Sequence, residues 1–175
     1  MKIKDKTFVP YLSEEQIQAA IRQMASQINK DYAGRRPVIV AVLNGAFMFT
    51  ADLVKQLEIE VEISFVKVKS YEGTQRSGKV KQLLGLASSL EGKEIILVED
   101  IVDTGHTIEH LLGMLEEKKV ASVSIATLLY KPKAIQIAID LQYVGIEIPN
   151  LFVVGYGLDY DGFGRQYRDI YQLAE

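Results

Sequence analysis

Two stretches of this chain are apolar at every position over strand length, and they restrict the fold more than any other feature. Val38-Ile39-Val40-Ala41-Val42-Leu43 follows Pro37, and Ile95-Ile96-Leu97-Val98 recurs further along. A strand without a polar position is buried on both faces, as happens in a parallel sheet covered by helices on each side. The flanking segments supply such helices. Ser13 followed by Gln16 is a capping-box signature, and Ile17, Ile21, Met24 and Ile28 recur at helical spacing up to Gly34. Asn44-Gly45 ends the first apolar run, and 46–57 has the pattern of a second helix. Further strands are expected at 63–68, 123–129 and 151–154, with a third helix at 107–118. Alternation of this kind implies right-handed βαβ crossovers. The expected fold is α/β, with a mostly parallel central sheet flanked by helices, in a single domain over the 175 residues. Connections are short except at 72–79, which is polar, holds two glycines and has the composition of a mobile surface loop.

Composition narrows the chemistry. The chain has no cysteine, which removes disulfides, thiolate nucleophiles, iron–sulfur clusters and cysteine-bound zinc. Twenty Lys and Arg against 23 Asp and Glu leave a net charge of −3, with no global attraction to nucleic acid or to an anionic membrane. The N-terminus is charged from Lys2, and charges or glycines interrupt each apolar run within about ten residues, short of the ~20 that span a bilayer. A cytoplasmic protein with neither a nucleic-acid nor a membrane partner is expected.

Open α/β sheets bind ligands outside the carboxyl ends of their strands. The most informative such end is Val98-Glu99-Asp100-Ile101-Val102-Asp103-Thr104-Gly105-His106-Thr107. A buried strand here runs into adjacent carboxylates, then a third, then a turn that opens a helix. The turn offers free amides, two hydroxyls and a helix N-terminus, which together cradle an anion. Glu99 and Asp100 can accept hydrogen bonds from vicinal hydroxyls or hold a hard divalent cation. A phosphate cradle beside a diol-binding acid pair describes a site for a ribose 5-phosphate. Helix capping alone needs one acid, not three.

Two other patterns compete for attention. His106-Thr107-Ile108-Glu109-His110 matches the H-x-x-E-H string of some zinc peptidases. On a helical wheel both histidines lie opposite the apolar face of Ile108, Leu111, Leu112 and Leu115, so they point to solvent and not into a groove. Lys67, Lys69, Arg76, Lys79 and Lys81 form a basic cluster, expected to be a solvated strand end and loop.

The 98–107 segment resembles the phosphoribosyl diphosphate (PRPP) signature of type I phosphoribosyltransferases, and the rest of the chain resembles their hypoxanthine/guanine branch. Val42-Leu43-Asn44-Gly45-Ala46-Phe47 is similar to the pyrophosphate loop, and Lys69-Ser70-Tyr71 to the opening of a flexible lid at about 70–82. Leu128-Leu129-Tyr130-Lys131 resembles the strand end with a purine-contacting lysine. Phe152-Val153-Val154-Gly155-Tyr156-Gly157-Leu158-Asp159-Tyr160 resembles the base and metal segment, here about 151–170. The resemblance implies transfer of phosphoribosyl from PRPP to hypoxanthine or guanine, giving IMP or GMP and pyrophosphate with Mg²⁺, in a homodimer or homotetramer with a small hood and lid.

Residue by residue, the resemblance implies that Asp103 is the general acid/base near purine N7. Glu99 and Asp100 would hold the ribose hydroxyls, partly through Mg²⁺. Asp103, Thr104, Gly105, His106 and Thr107 would bind the 5′-phosphate. Lys131 would donate to the 6-oxo group, Phe152 would stack on the base, and the Val153 and Asp159 backbone would meet its 2-position edge. Asp159 would place a second Mg²⁺. Asn44, Gly45, Ser70, Tyr71 and an arginine would bind pyrophosphate. Asn44 stands where many relatives carry lysine. Tyr167-Arg168-Asp169-Ile170 matches the family pattern and favours Arg168, whereas counting from Asp159 picks Arg165. The alternative from another class is a PRPP- or nucleotide-sensing regulator on the same scaffold.

Overall fold

The computed structural model describes residues 1–69, 81–84 and 89–174. Its elements are β1 (Lys2–Ile3), β2 (Lys6–Leu12), α1 (Glu14–Asp31), β3 (Val38–Leu43), α2 (Phe47–Lys55), β4 (Glu62–Lys69), β5 (Lys81–Leu84), β6 (Glu94–Val102), α3 (His106–Glu117), β7 (Ser122–Tyr130), β8 (Tyr143–Glu147), β9 (Val153–Val154) and β10 (Ile170–Leu173). Six strands form the main sheet in the order β5-β4-β3-β6-β7-β8. All neighbours are parallel except β5, which runs antiparallel to β4.

The two apolar runs are the centre of this sheet, and their side chains divide between two cores. Ile39, Ile96 and Val98 pack with Ile17, Ile21, Met24 and Ile28 of α1 and with Phe49 and Leu53 of α2. Val38, Val40, Val42, Ile95 and Leu97 pack instead with Ile108, Leu111 and Leu115 of α3. Helices on both faces leave these strands no wet side, which is why they carry no polar residue. The start of α1 is the capping box its sequence predicts. The Gln16 amide donates to Ser13 Oγ at 3.3 Å, and the Ser13 amide donates to Gln16 Oε1 at 2.9 Å.

A second, four-stranded sheet in the order β1-β2-β10-β9 forms the small hood. It joins the two ends of the chain, with Leu12 opposite Ile170 and Phe8 opposite Leu173. Its own core is Ile3, Phe8 and Val154. Here the chain departs from the simplest alternating pattern. The strand expected at 151–154 shrinks to Val153–Val154 and pairs with β10 in the hood. Strands β1, β2 and β10 are absent from the apolar pattern because only part of each is covered; Phe8 is buried while its neighbour Val9 is exposed. Strand β6 also runs past its apolar stretch to Val102, so Glu99 pairs with Thr127 inside the sheet. Among the described residues, no helix is long and apolar enough to cross a membrane.

Leu97 lies fully buried in the α3-side core. Leu97→Ala is expected to lower the unfolding free energy by about 3 kcal/mol, the usual cost of a lost core leucine plus its cavity, read from a urea melt.

Candidate active site

The site is built around the end of β6, which carries Glu99 and Asp100 into the protein at 6% and 9% exposure. Asp100 Oδ1 accepts from the Ile101 amide at 3.0 Å, but buried Glu99 Oε2 has no hydrogen-bond partner. Burial is the main force on both carboxyls and raises them above the ordinary range. The neighbouring Asp100 charge pushes Glu99 further up, whereas hydrogen bonding to Glu99 and to backbone amides, and to a lesser degree the Arg165 guanidinium, partly offsets the rise at Asp100. A buried acid with an unpaired oxygen is costly, and such oxygens call for a cation or a donor from outside.

Beyond these acids the chain turns through Asp103, Thr104 and Gly105 into α3. Residues 99–101, 103–105, 107 and 108 line a cavity of about 260 Å³. The turn is held from behind by the segment after β7. Thr104 O accepts from the amides of Gln136 at 3.0 Å and Ile137 at 3.3 Å. Gly105 has φ +95°, and a Cβ there would meet Ile139 Cδ1 at 2.8 Å. The positive φ is what favours glycine here, since the Ile139 methyl is the end of a flexible side chain. Lys131 Nζ lies 2.9 Å from Oδ2 of the cavity-lining Asp103, the lysine buried and the aspartate half-exposed. The Asp103 carboxylate and the ammonium thus sit side by side at the ends of β6 and β7.

Two glycines bring the other loops in. A Cβ on Gly45 would lie 1.7 Å from Asp100 Oδ2, so the turn after β3 can press on that carboxylate only as glycine. Gly157, at φ +98°, sits on this turn in the same way; its Cβ would fall 2.1 Å from Gly45 O. The Leu43–Asn44 peptide is cis, and Asn44 is exposed. Arg165 donates to Gly157 O at 2.6 Å and pairs with Asp159 Oδ1 at 2.7 Å. Asp159 Oδ2 accepts from the Gly162 amide at 2.6 Å. Phe152, 44% exposed, meets Tyr160 edge-on at 5.9 Å between ring centroids. Val153 is buried on β9.

The chain as a whole has counterparts among known proteins. The sequence model of the phosphoribosyl transferase domain matches residues 11–161. The chain belongs to the phosphoribosyl transferase family. It is 42% identical over 159 residues to the hypoxanthine-guanine phosphoribosyltransferase of Streptococcus thermophilus, covering 90% of this chain and 87% of that protein. It is 41% identical over 160 residues to the bifunctional protein TilS/HprT of Listeria innocua, where the match takes in 91% of this chain and spans only 24% of that longer protein. A crystal structure of a hypoxanthine phosphoribosyltransferase from Staphylococcus aureus superposes with a TM-score of 0.90 at 40% identity, covering 95% of this chain and 91% of that one.

Within this transferase fold, the structure redistributes several expected site residues. Arg168 is 79% exposed and lies 3.6 Å from Glu14 on α1, so it is not at the site. Arg165 stands beside Asp159 instead, because the Tyr160–Phe163 turn folds back and returns it to Gly157. His106 is exposed, outside the cavity lining, with Nε2 3.2 Å from Gln136 Oε1. Ser70 and Tyr71, with Arg76 and Lys79, lie outside the described residues. Two contacts had no sequence signal. Gln136 and Ile137 brace the Thr104 turn through their backbones, and Lys6 from the hood sits 5.4 Å from the Phe152 ring centroid.

The donors fit a magnesium ion. Glu99 and Asp100 are hard oxygen ligands, one with an unpaired buried atom. Among the described residues no cluster of three or more candidate ligands occurs, which suits an ion that takes one or two carboxylates and completes its shell with substrate oxygens and water. Asp159 is separate, with both carboxylate oxygens engaged.

The raised carboxyls give a signed pH effect. Between the ordinary carboxylate range of about 4 and their raised folded values, the cation-free protein holds protons that the unfolded chain has released, so stability falls as pH rises through that window and levels off above it. Glu99→Gln is therefore expected to melt higher than the parent protein in chelator, by a margin that widens from about pH 4 upward before levelling off. A margin that never widens above about pH 4 in a calorimetric series would contradict the buried-acid assignment.

Proposed function

We propose that the chain transfers the phosphoribosyl group of PRPP to N9 of hypoxanthine or guanine, releasing IMP or GMP and pyrophosphate. The observation that carries this reading is the Lys131–Asp103 ion pair, whose aspartate lines the same cavity as the Glu99–Asp100 acids. A purine with a 6-oxo group and a proton on N7 matches that pair. The ammonium donates to the oxo group, and the carboxylate accepts from N7–H. The similarity to the Streptococcus enzyme supports the same substrate class.

In the forward reaction the C1′–N9 bond forms as the C1′–O bond to pyrophosphate breaks, and the bonding pair leaves with pyrophosphate. Asp103 takes the N7 proton, so no positive charge is left on the base. Amides and hydroxyls at 104, 105 and 107 hold the 5′-phosphate at the start of α3. Glu99 and Asp100 hold the ribose 2′ and 3′ hydroxyls and one Mg²⁺, which when bound neutralises charge on the leaving group. The turn at Asn44-Gly45 and the Arg165 guanidinium face that pyrophosphate. Phe152 stacks on the purine, and the Val153 and Asp159 backbones border its 2-position. The reading includes a second Mg²⁺ near Asp159, a homodimer or homotetramer, and a cytoplasmic place in purine salvage, all carried by the family resemblance.

Pyrophosphate release should depend on PRPP, Mg²⁺ and either base together. Binding of PRPP with no base-dependent release from any purine would instead mark a sensor on the same scaffold. Asp103→Asn is expected to lower kcat by about 100-fold or more, the range for loss of a general base, with PRPP affinity within about threefold. Turnover at the parental rate would remove the proton role from Asp103.

A further inference from the structure

Tyr156 is placed where the chain could have used a third glycine. Its φ is +49°, between Gly155 at +99° and Gly157 at +98°. The left-handed region is strained for a bulky residue, so a tyrosine there needs a compensating interaction. That interaction is in its side chain, which is 2% exposed and passes between α1 and α2. The hydroxyl donates to Asp52 Oδ2 on α2 at 2.5 Å. Gln18 on α1 donates to the same Asp52 oxygen at 2.6 Å and to the tyrosine hydroxyl at 3.2 Å. Lys55 pairs with Asp52 Oδ1 at 2.5 Å. Burial raises the Asp52 carboxyl, but the hydrogen bonds from Lys55, Tyr156 and Gln18 outweigh it and hold the group below its ordinary range.

The network joins two parts of the site. Helix α2 follows directly from the Asn44-Gly45 turn, while Tyr156 immediately precedes Gly157, which rests on Gly45 O and accepts from Arg165. Backbone bonds tie this segment to 165–167, with the Tyr156 amide donating to Tyr167 O at 2.8 Å and the Gly157 amide to Arg165 O at 3.0 Å, and the phenol adds its tie to α2. The base side of the same segment is held differently. Val153 and Val154 pair with β10, and the Leu173 amide donates to Phe152 O at 2.9 Å.

We propose that Tyr156, through Asp52 and Gln18, is a positioning residue that sets the Gly157–Arg165 unit against the Gly45 turn and so tunes recognition of the diphosphate, not of the base. The proposal rests on the reading above that this side of the site binds the pyrophosphate portion of PRPP.

Tyr156→Phe and Asp52→Ala in the full chain are each expected to raise KM for PRPP about fivefold, the worth of one hydrogen bond, with KM for hypoxanthine within about twofold. The double variant should match either single one, because each breaks the same link. Asp52→Asn, which keeps an acceptor oxygen, should return KM for PRPP to within about twofold of the parent protein. A merely structural role would lower the melting temperature and raise both KM values alike, and that outcome, or an unchanged KM for PRPP, overturns the proposal. Arg165→Ala separates the two levels of argument. If it raises KM for PRPP while Tyr156→Phe does not, only the positioning role fails. If it leaves KM for PRPP unchanged, the pyrophosphate placement fails and the positioning role with it.

Discussion

The burial of two adjacent carboxylates at the end of a central strand is the constraint around which the rest of this molecule is arranged. A sheet covered on both faces is a poor solvent for charge, and Glu99 and Asp100 are buried toward the end of its strand β6, Glu99 paired with Thr127 of β7. Their cost is tolerable because each neighbour is shaped to it. Gly45 lets backbone approach Asp100 where any side chain would collide, and Arg165 brings a positive charge from the hood side. Among the described residues two buried side-chain atoms lack a hydrogen-bond partner, and Glu99 Oε2 is one of them, the other being Thr50 Oγ1 on α2.

The scaffold explains why such a site can be rigid. Helices α1, α2 and α3 fix β3 and β6 from both sides, so the turns that follow these strands start from well-packed residues. Each turn then finds a second anchor outside its own element. The Thr104 carbonyl is held by Gln136 and Ile137, the Gly45 turn by Gly157, and Asp103 by Lys131. Cross-bracing of this kind holds donors in place before a ligand arrives, which is where catalytic electrostatics derive most of their effect.

How much of this could be seen in the sequence follows from the physics of each part. The central strands and α1 were plain, because continuous burial and helical periodicity both leave marks on neighbouring residues. Glu99 to Thr107 was plain for the same reason; its chemistry is contiguous. The hood was not, since β1, β2 and β10 pair across almost the whole chain and only Ile3, Phe8 and Val154 record their small core. The choice between Arg165 and Arg168 turned on a fold-back at 160–163 that local pattern does not encode. The bracing by Gln136 and Ile137 uses backbone amides, which any residue except proline could supply.

The central claim is that the end of β6 grips a ribose 5-phosphate. A crystal structure of the protein with IMP tests it most directly. The account predicts the ribose hydroxyls on Glu99 and Asp100, the phosphate among the amides of residues 104–107, and the base between Phe152 and Lys131. A nucleotide bound with its phosphate away from that turn, or with its ribose clear of both acids, would contradict it.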